Sequence, residues 1–211
     1  MIGPKEKIER SLGEHLHLKG QRCSSPKCAM VRKPYRPGMH GQKRKRGQLS
    51  DFGIQLREKR KFKVVYGLDE KMLRHLFERS EGKAGGTGAR LLELLERRLD
   101  NIIFRMGFAP SRGAARQLVT HGHVMVNKKR VRAPGYEVRS NDVVSIRPES
   151  LPRPRFVKMK EELAERFSGK GGDAPSWLHV DPKTLEGKVL GAPVDVEIPF
   201  DINILVESFS K

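Results

Sequence analysis

Leu91, Leu92, Leu94, Leu95, Leu99, Ile102, Ile103 and Met106 recur at three- and four-residue spacing, the strongest helical signal in the chain. A segment this apolar must bury one face, and the residues after it indicate against what. Gly107 stops the pattern. Ser111 then stands as an N-cap before a short helix with Ala114, Ala115, Leu118 and Val119 facing inward, and His121-Gly122 ends that helix. Beyond it the period changes to two. His123-Val124-Met125-Val126 reads as a strand and Asn127-Lys128-Lys129-Arg130 as a turn before Val131; Tyr136–Val138 and Val143–Ile146 follow as short strands, with a turn at Asn141-Asp142. Two helices, or one bent helix, from Leu91 to Met106, joined to a short helix and short strands, make this an α+β chain.

The flanking segments are organised differently. Residues 1–50 are punctuated by Pro26, Pro34, Pro37, Gly38 and Gly41, so long regular elements are not expected there. So basic a segment, poor in apolar periodicity, is expected to be disordered alone and to act as a clasp once RNA orders it. Ser50 or Asp51 can cap a basic amphipathic helix over Ile54–Tyr66 that Gly67 ends, and Met72, Leu73, Leu76 and Phe77 mark a second helix from about Asp69 to Arg79. The glycines between Gly82 and Gly88 predict a flexible connection. After Pro152 and Pro154 a helix is expected from Phe156 to Phe167, with Trp177-Leu178 and the tail Ile202–Phe209 as extended pieces. The domain reading is therefore an irregular basic segment at 1–50, a helical part at 51–96, a small domain of two helices on strands at 97–158, and an extension at 159–211 that packs back on the N-terminal domain.

Charge narrows the function. The formal net charge is +18, and it is blocked: residues 1–66 carry +13, 67–96 carry −1, 97–148 carry +8, and 149–211 carry −2. Two basic blocks of this kind repel themselves unless a polyanion partner is present. A membrane suits them poorly, because no apolar run approaches the ~18 residues of a span. Met1 to Leu12 also lacks the apolar centre of a signal peptide. A soluble, cytoplasmic, nucleic-acid-binding protein is expected, with no cofactor. Arg112 and Arg116, four apart on one helix, and the turn cations Lys128, Lys129 and Arg130 form its most compact basic surface. The competing view of that surface is a merely solvated charged face.

These same residues carry a resemblance. Arg97-Arg98-Leu99-Asp100-Asn101-Ile102-Ile103, Gly107-Phe108, Ser111 to Val119 and His121 to Asn127 resemble the S-four RNA-binding motif. Pro37-Gly38-Met39-His40-Gly41, Gln55 to Lys59, Thr87-Gly88 with Leu91 to Leu95, and Ile204 to Glu207 extend the likeness over essentially the whole chain. In this the chain resembles the universal S-four family of small-subunit ribosomal proteins, in its bacterial form. The resemblance implies a structural, non-enzymatic protein that binds small-subunit ribosomal RNA early in assembly. It also implies contact with ribosomal protein S five, a place where mRNA enters the subunit, and an influence on decoding accuracy. Carried onto this sequence it makes Arg22, Lys27, Arg36, His40, Arg57, Lys59, Arg60, Arg112, Arg116, Gln117, His121, Lys128, Lys129 and Arg130 rRNA-binding residues. Lys43, Arg44, Lys45 and Arg46 become the face toward mRNA.

Two features qualify the resemblance. Zinc-binding relatives carry four cysteines in two pairs; here Cys23 and Cys28 match the second pair, while Glu6 and Glu9 stand where the first would be. A closed zinc site wants four Cys/His ligands. The expectation is two reduced thiols and no metal, the alternative being a degenerate zinc site on Cys23 and Cys28 completed by His15 and His17, whose alternation suits a site poorly. The string Arg98-Leu99-Asp100 also occurs around the catalytic Asp of pseudouridine synthases. Inside a helix, with no catalytic domain beside it, Asp100 reads instead as a helix-surface or helix-start carboxylate. A free RNA-binding regulator away from the ribosome is the third reading.

Overall fold

The structure, a computed structural model, describes residues 4–43, 49–82, 86–168, 174–194, 196 and 198–210. The chain divides into two compact units, Met1–Leu92 with Glu197–Lys211, and Glu93–Val196.

The first unit is helical. α1 (Lys5–Leu12) stops at Gly13, whose φ of +73° suits a residue without a side chain. A 3-10 turn (Gly20–Ser24) and the one-turn α2 (Ala29–Arg32) follow. Ile8, Leu12, Leu16, Leu18, Cys23 and Cys28 are buried, so this segment has a small core of its own. The expectation of a structureless clasp missed it because its apolar residues lie in elements too short to show a period. α3 (Asp51–Tyr66) is capped by Ser50, whose Oγ accepts the Gly53 N–H at 3.3 Å, and it ends at Gly67, φ +66°. Its second half buries Phe62, Val64, Val65 and Tyr66, whereas Phe52, Ile54 and Leu56 in its first half stay exposed. α4 (Glu70–Ser80) is capped by the Asp69 carboxylate on the Met72 N–H at 2.7 Å.

α5 spans Thr87–Glu96, so Gly88, expected in a connection, lies in a helix; Lys83, Ala84 and Gly85 are outside the described residues. The last helix, α9 (Ile202–Ser210), corrects the expected extended tail. Asp201 starts it by accepting the Asn203 N–H at 2.8 Å, Leu205 is buried, and Phe209 stacks on Phe77 with centroids 4.7 Å apart. A helix brings Leu205 and Phe209, four apart, onto one face, which alternation could not do.

The second unit contains α6 (Leu99–Arg105), α7 (Arg112–Thr120), α8 (Pro154–Ser168) and five short strands. These are β1 (Val124–Val126), β2 (Lys129–Arg130), β3 (Val143–Ile146), β4 (Leu178–Asp181) and β5 (Glu186–Val189), antiparallel in the order β2-β1-β3-β5-β4. Ser111 caps α7 through its Oγ on the Ala114 N–H at 3.3 Å. The β1–β2 turn is two residues long, Asn127 at φ +48° and Lys128 at φ +64°, the left-handed pair that suits the strand twist. Lys129 and Arg130, read as part of the turn, therefore lie in a strand opposite Val126 and Met125. Tyr136–Val138 forms no strand of the sheet. Its backbone instead meets the break between α5 and α6, with Leu99 N–H on the Tyr136 carbonyl at 2.8 Å and Val138 N–H on the Arg97 carbonyl at 2.9 Å.

The core of this unit also revises the expected boundary at residue 158. Phe156, Met159 and Leu163 of α8, with Trp177, Leu178, Leu185 and Val189 of the β4–β5 hairpin, are buried in one cluster with Ile102, Phe108, Leu118, Val124 and Val144. β5 pairs with β3, so the segment up to 196 completes this sheet, and only residues from 197 onward group with the first unit.

Candidate nucleic-acid interface

A buried ionic frame fixes α6 and α7. Glu96, at the end of α5, is fully buried and accepts from Asn101 Nδ2 at 2.6 Å and from Arg105 Nε and Nη2 at 2.8 and 3.0 Å. Asn101 turns its Oδ1 to Arg112 Nε at 2.7 Å, and the Arg112 guanidinium lies over the Phe104 ring, 4.6 Å from its centroid. Arg112, expected to face RNA beside Arg116, is thus committed inward, while Arg116 and Gln117 are exposed on α7. Asp100, expected at the surface or start of a helix, lies in the first turn of α6 but is buried, in a two-point pair with Arg98 at 3.1 and 2.8 Å.

The exposed cations gather where α7 ends. Gly122, φ +72°, lets Arg130 approach so closely that a Cβ there would lie 2.4 Å from the guanidinium; Arg130 donates to the Gly122 and His121 carbonyls at 3.0 and 3.4 Å. His121, Lys128, Lys129 and Arg130 are all exposed. The structure adds residues that the sequence reading missed: His123, Arg132, Arg147, Arg153 and Arg155. The His123 Nδ1 is 2.9 Å from Ser150 Oγ. Burial, and after it the charges of Arg153, His121, Arg155 and Arg130, lower the His123 imidazole below its ordinary range. Desolvation, then Arg132 and Arg147, similarly lower Arg130, and Glu149 opposes them. The missed arginines are scattered in sequence around prolines, and the fold alone assembles them.

The N-terminal candidates split in two. Arg57 donates to the Leu12 carbonyl at 2.6 Å and to Glu14 at 2.7 Å, and Lys59 pairs with Glu70 at 2.6 Å beneath the Phe209 ring; both brace the first unit. Arg22 pairs with Glu6 at 2.9 Å while remaining half exposed. Lys27, Arg36, His40, Lys43 and Arg60 are exposed. Arg44, Lys45 and Arg46 lie outside the described residues. Lys61 was not singled out from sequence; it is buried between Glu14 and Glu58, both within 2.6 Å.

Cys23 and Cys28 are free and buried, and burial pushes the Cys23 thiol up. His15 Nε2 lies 3.2 Å from Cys28 Sγ. Among the described residues no helix is long and apolar enough to cross a membrane.

Comparison with known proteins matches both parts of the chain. Residues 1–96 match the family described as "Ribosomal protein S4/S9 N-terminal domain" and residues 97–144 the "S4 domain". A helical N-terminal part followed by that domain, with a cationic face on it, defines a small-subunit ribosomal protein carrying an RNA-binding domain. The relatives make this particular. The chain is 46% identical over 212 residues to "Small ribosomal subunit protein uS4" of Caldicellulosiruptor saccharolyticus, covering 100% of this chain and 98% of that one. It is 44% identical to the uS4 proteins of Thermus thermophilus, over 100% and 98% of the two chains, and of Gloeobacter violaceus, over 99% and 98%. The chain belongs to the uS4 family, a family of ribosomal structural proteins and not of enzymes.

Proposed function

We propose that this protein binds small-subunit ribosomal RNA directly, as a structural component that joins the subunit early in assembly. The observation that carries this reading is the exposure of Lys128, Lys129, Arg130, Arg153 and Arg155 on one domain, with the charges of Arg153, Arg155 and Arg130 acting on His123 and Glu149, paired with Arg147, opposing them at Arg130. Like charges held together on a rigid frame are unfavourable alone and favourable against phosphates. Lys128, Lys129 and Arg130 reach one backbone, and Arg153 and Arg155 a second, so that converging RNA helices are neutralised where they pack. Arg116, Gln117 and His121 complete this face, and the exposed Arg22, Lys27, Arg36, His40 and Arg60 form another on the first unit. In the same reading Lys43 to Arg46 face the path by which mRNA enters the subunit and affect decoding accuracy. Ribosomal protein S five is the neighbouring protein, and the cytoplasm is the compartment.

The test is binding of the full chain to small-subunit ribosomal RNA over a salt series. Each phosphate contact removed flattens the log–log salt slope by about 0.7–0.9. Arg153→Ala/Arg155→Ala and Lys128→Ala/Lys129→Ala are expected each to weaken binding and to flatten the slope by more than one contact's worth. Unchanged slope in both variants would refute this face as the RNA contact.

A further inference from the structure

Arg10 stands in the last turn of α1, between Ile8 and Leu12, whose burial anchors the helix that carries it. Its guanidinium reaches a segment 23 to 26 residues further along the chain. The Nε–H is shared between the Lys33 and Tyr35 carbonyls, 2.9 Å from each, and Nη2 donates to the Arg36 carbonyl at 3.5 Å. The same group lies over the Tyr35 ring, 4.9 Å from its centroid. We propose that Arg10 is the positioning residue of the loop 33–41: it sets this loop in its RNA-competent shape before RNA arrives, and so raises affinity without itself touching RNA. The inference rests on the reading of Arg36 and His40 as rRNA-facing.

The loop has little else to hold it. No residue from 29 to 43 is buried, and Met39 is 94% exposed, so apolar packing contributes little. Pro34 and Pro37 have no N–H, which removes two donors that local turns would use to satisfy the neighbouring carbonyls. The loop's own backbone bonds lie at its far end, from the Gly41 N–H to the Gly38 carbonyl and from the Lys43 N–H to the His40 carbonyl, each at 3.1 Å. Arg10 supplies the donors missing at the near end. A planar, forked cation can serve several carbonyls and the face of a ring at once; the compact ammonium of a lysine cannot.

Two glycines let the loop close on the segment that Arg10 holds. Gly38 has φ +104°, and a Cβ on Gly41 would overlap the Arg36 carbonyl oxygen. That carbonyl therefore meets both the Arg10 guanidinium and the backbone of Gly41. Arg36 and His40, both exposed, stand on this frame. From its composition the segment reads as a clasp that RNA must order; Arg10 orders it within the chain instead. A loop ordered before binding lowers the entropy lost in the complex, and the difference appears as affinity.

The experiment measures binding of the full chain to small-subunit ribosomal RNA over a salt series. Arg36→Ala/His40→Ala tests the contact: binding is expected to weaken, with the log–log slope flatter by about 0.7–0.9 for the Arg36 phosphate contact. No change in either would refute the loop as a contact, and the positioning role with it. Arg10→Met is expected to weaken binding on the order of tenfold at unchanged slope, since the loop's own cations remain. Wild-type affinity in Arg10→Met, beside a weakened Arg36→Ala/His40→Ala, would overturn the positioning role alone. A slope flattened by one contact's worth in Arg10→Met would make Arg10 a direct phosphate ligand and overturn it too. In the Arg36→Ala/His40→Ala background the Arg10→Met loss should shrink, and full additivity would show that Arg10 does not act through the loop. Arg10→Lys, which keeps the charge but not the fork, should recover only part of the loss; full recovery would overturn the role of the fork. Gly41→Ala leaves α1 untouched and keeps the inference falsifiable should Arg10→Met fail to fold. It is expected to weaken binding at unchanged slope, and wild-type affinity there would overturn the need for a preset loop.

Discussion

Replacing Glu96 by Gln isolates the ionic frame that fixes α6 and α7. The substitution keeps the shape of the side chain but removes its charge and sets an amide N–H₂ against the Arg105 guanidinium. Three bonds of 2.6–3.0 Å converge on the carboxylate from Asn101 and Arg105. Removing one partner of a buried ion pair costs about 3–5 kcal/mol. Arg105 is one-fifth exposed, so water recovers part of this and about 3 kcal/mol is expected. The assay is urea unfolding of the full chain followed by tryptophan fluorescence. Trp177, the chain's single tryptophan, is buried in the core of the second unit and reports on that unit directly. The control is Glu93→Gln on the same helix, whose pair with Arg97 at 2.9 Å is partly solvated and is worth less than about 0.5 kcal/mol. A loss in Glu96→Gln no larger than in Glu93→Gln would refute the frame. So would full additivity with Arg105→Gln, because partners in one pair must couple.

Two further outcomes are expected. Lys128 sits at φ +64° in the hairpin turn, so Lys128→Gly should raise stability by about 0.5–1 kcal/mol while weakening RNA binding. Parallel melting and RNA titrations check this, and a change of the same sign in both would sink it. His123 binds a proton less readily folded than unfolded, through burial and then through Arg153, His121, Arg155 and Arg130. Its contribution to stability is present above the ordinary imidazole value, about 6.5, and is lost as pH falls through and below it. Phosphates near those cations reverse the preference, so RNA affinity should rise as pH falls over that window. Denaturant and binding titrations from pH 7.5 to 5.5 compare wild type with His123→Gln, which should flatten both trends.

Much of the second unit is legible in sequence because its elements carry their own stop signals. Ser111 caps α7, Gly107 and Gly122 hold positive φ, and Asn127 opens a two-residue turn. The tail was misread because Ile202, Ile204 and Val206 alternate, while Leu205 and Phe209 find their partners only in tertiary structure. The candidate site was legible as charge but not as geometry. Arg112 and Arg116 look equivalent four residues apart, yet Asn101 and Phe104 claim the first. Arg132, Arg147, Arg153 and Arg155 look dispersed, yet the segment after β2, the end of β3 and the start of α8 bring their charges to bear on Arg130 and His123. Spacing along a chain cannot show which cation a buried carboxylate has already taken.

The division of the chain has a consequence for biosynthesis. Residues 93–196 are contiguous, so everything their sheet and core require has been made once Val189 and its neighbours have been joined. The first unit is interrupted, and Phe62, Phe77 and Gly88 wait for Phe200, Phe209 and Ile202 from far downstream. The earlier-made half is therefore the later one to be completed. Until Phe200 and α9 have been synthesised, Phe62 and Phe77 lack these ring partners, an interval in which the second unit can already fold.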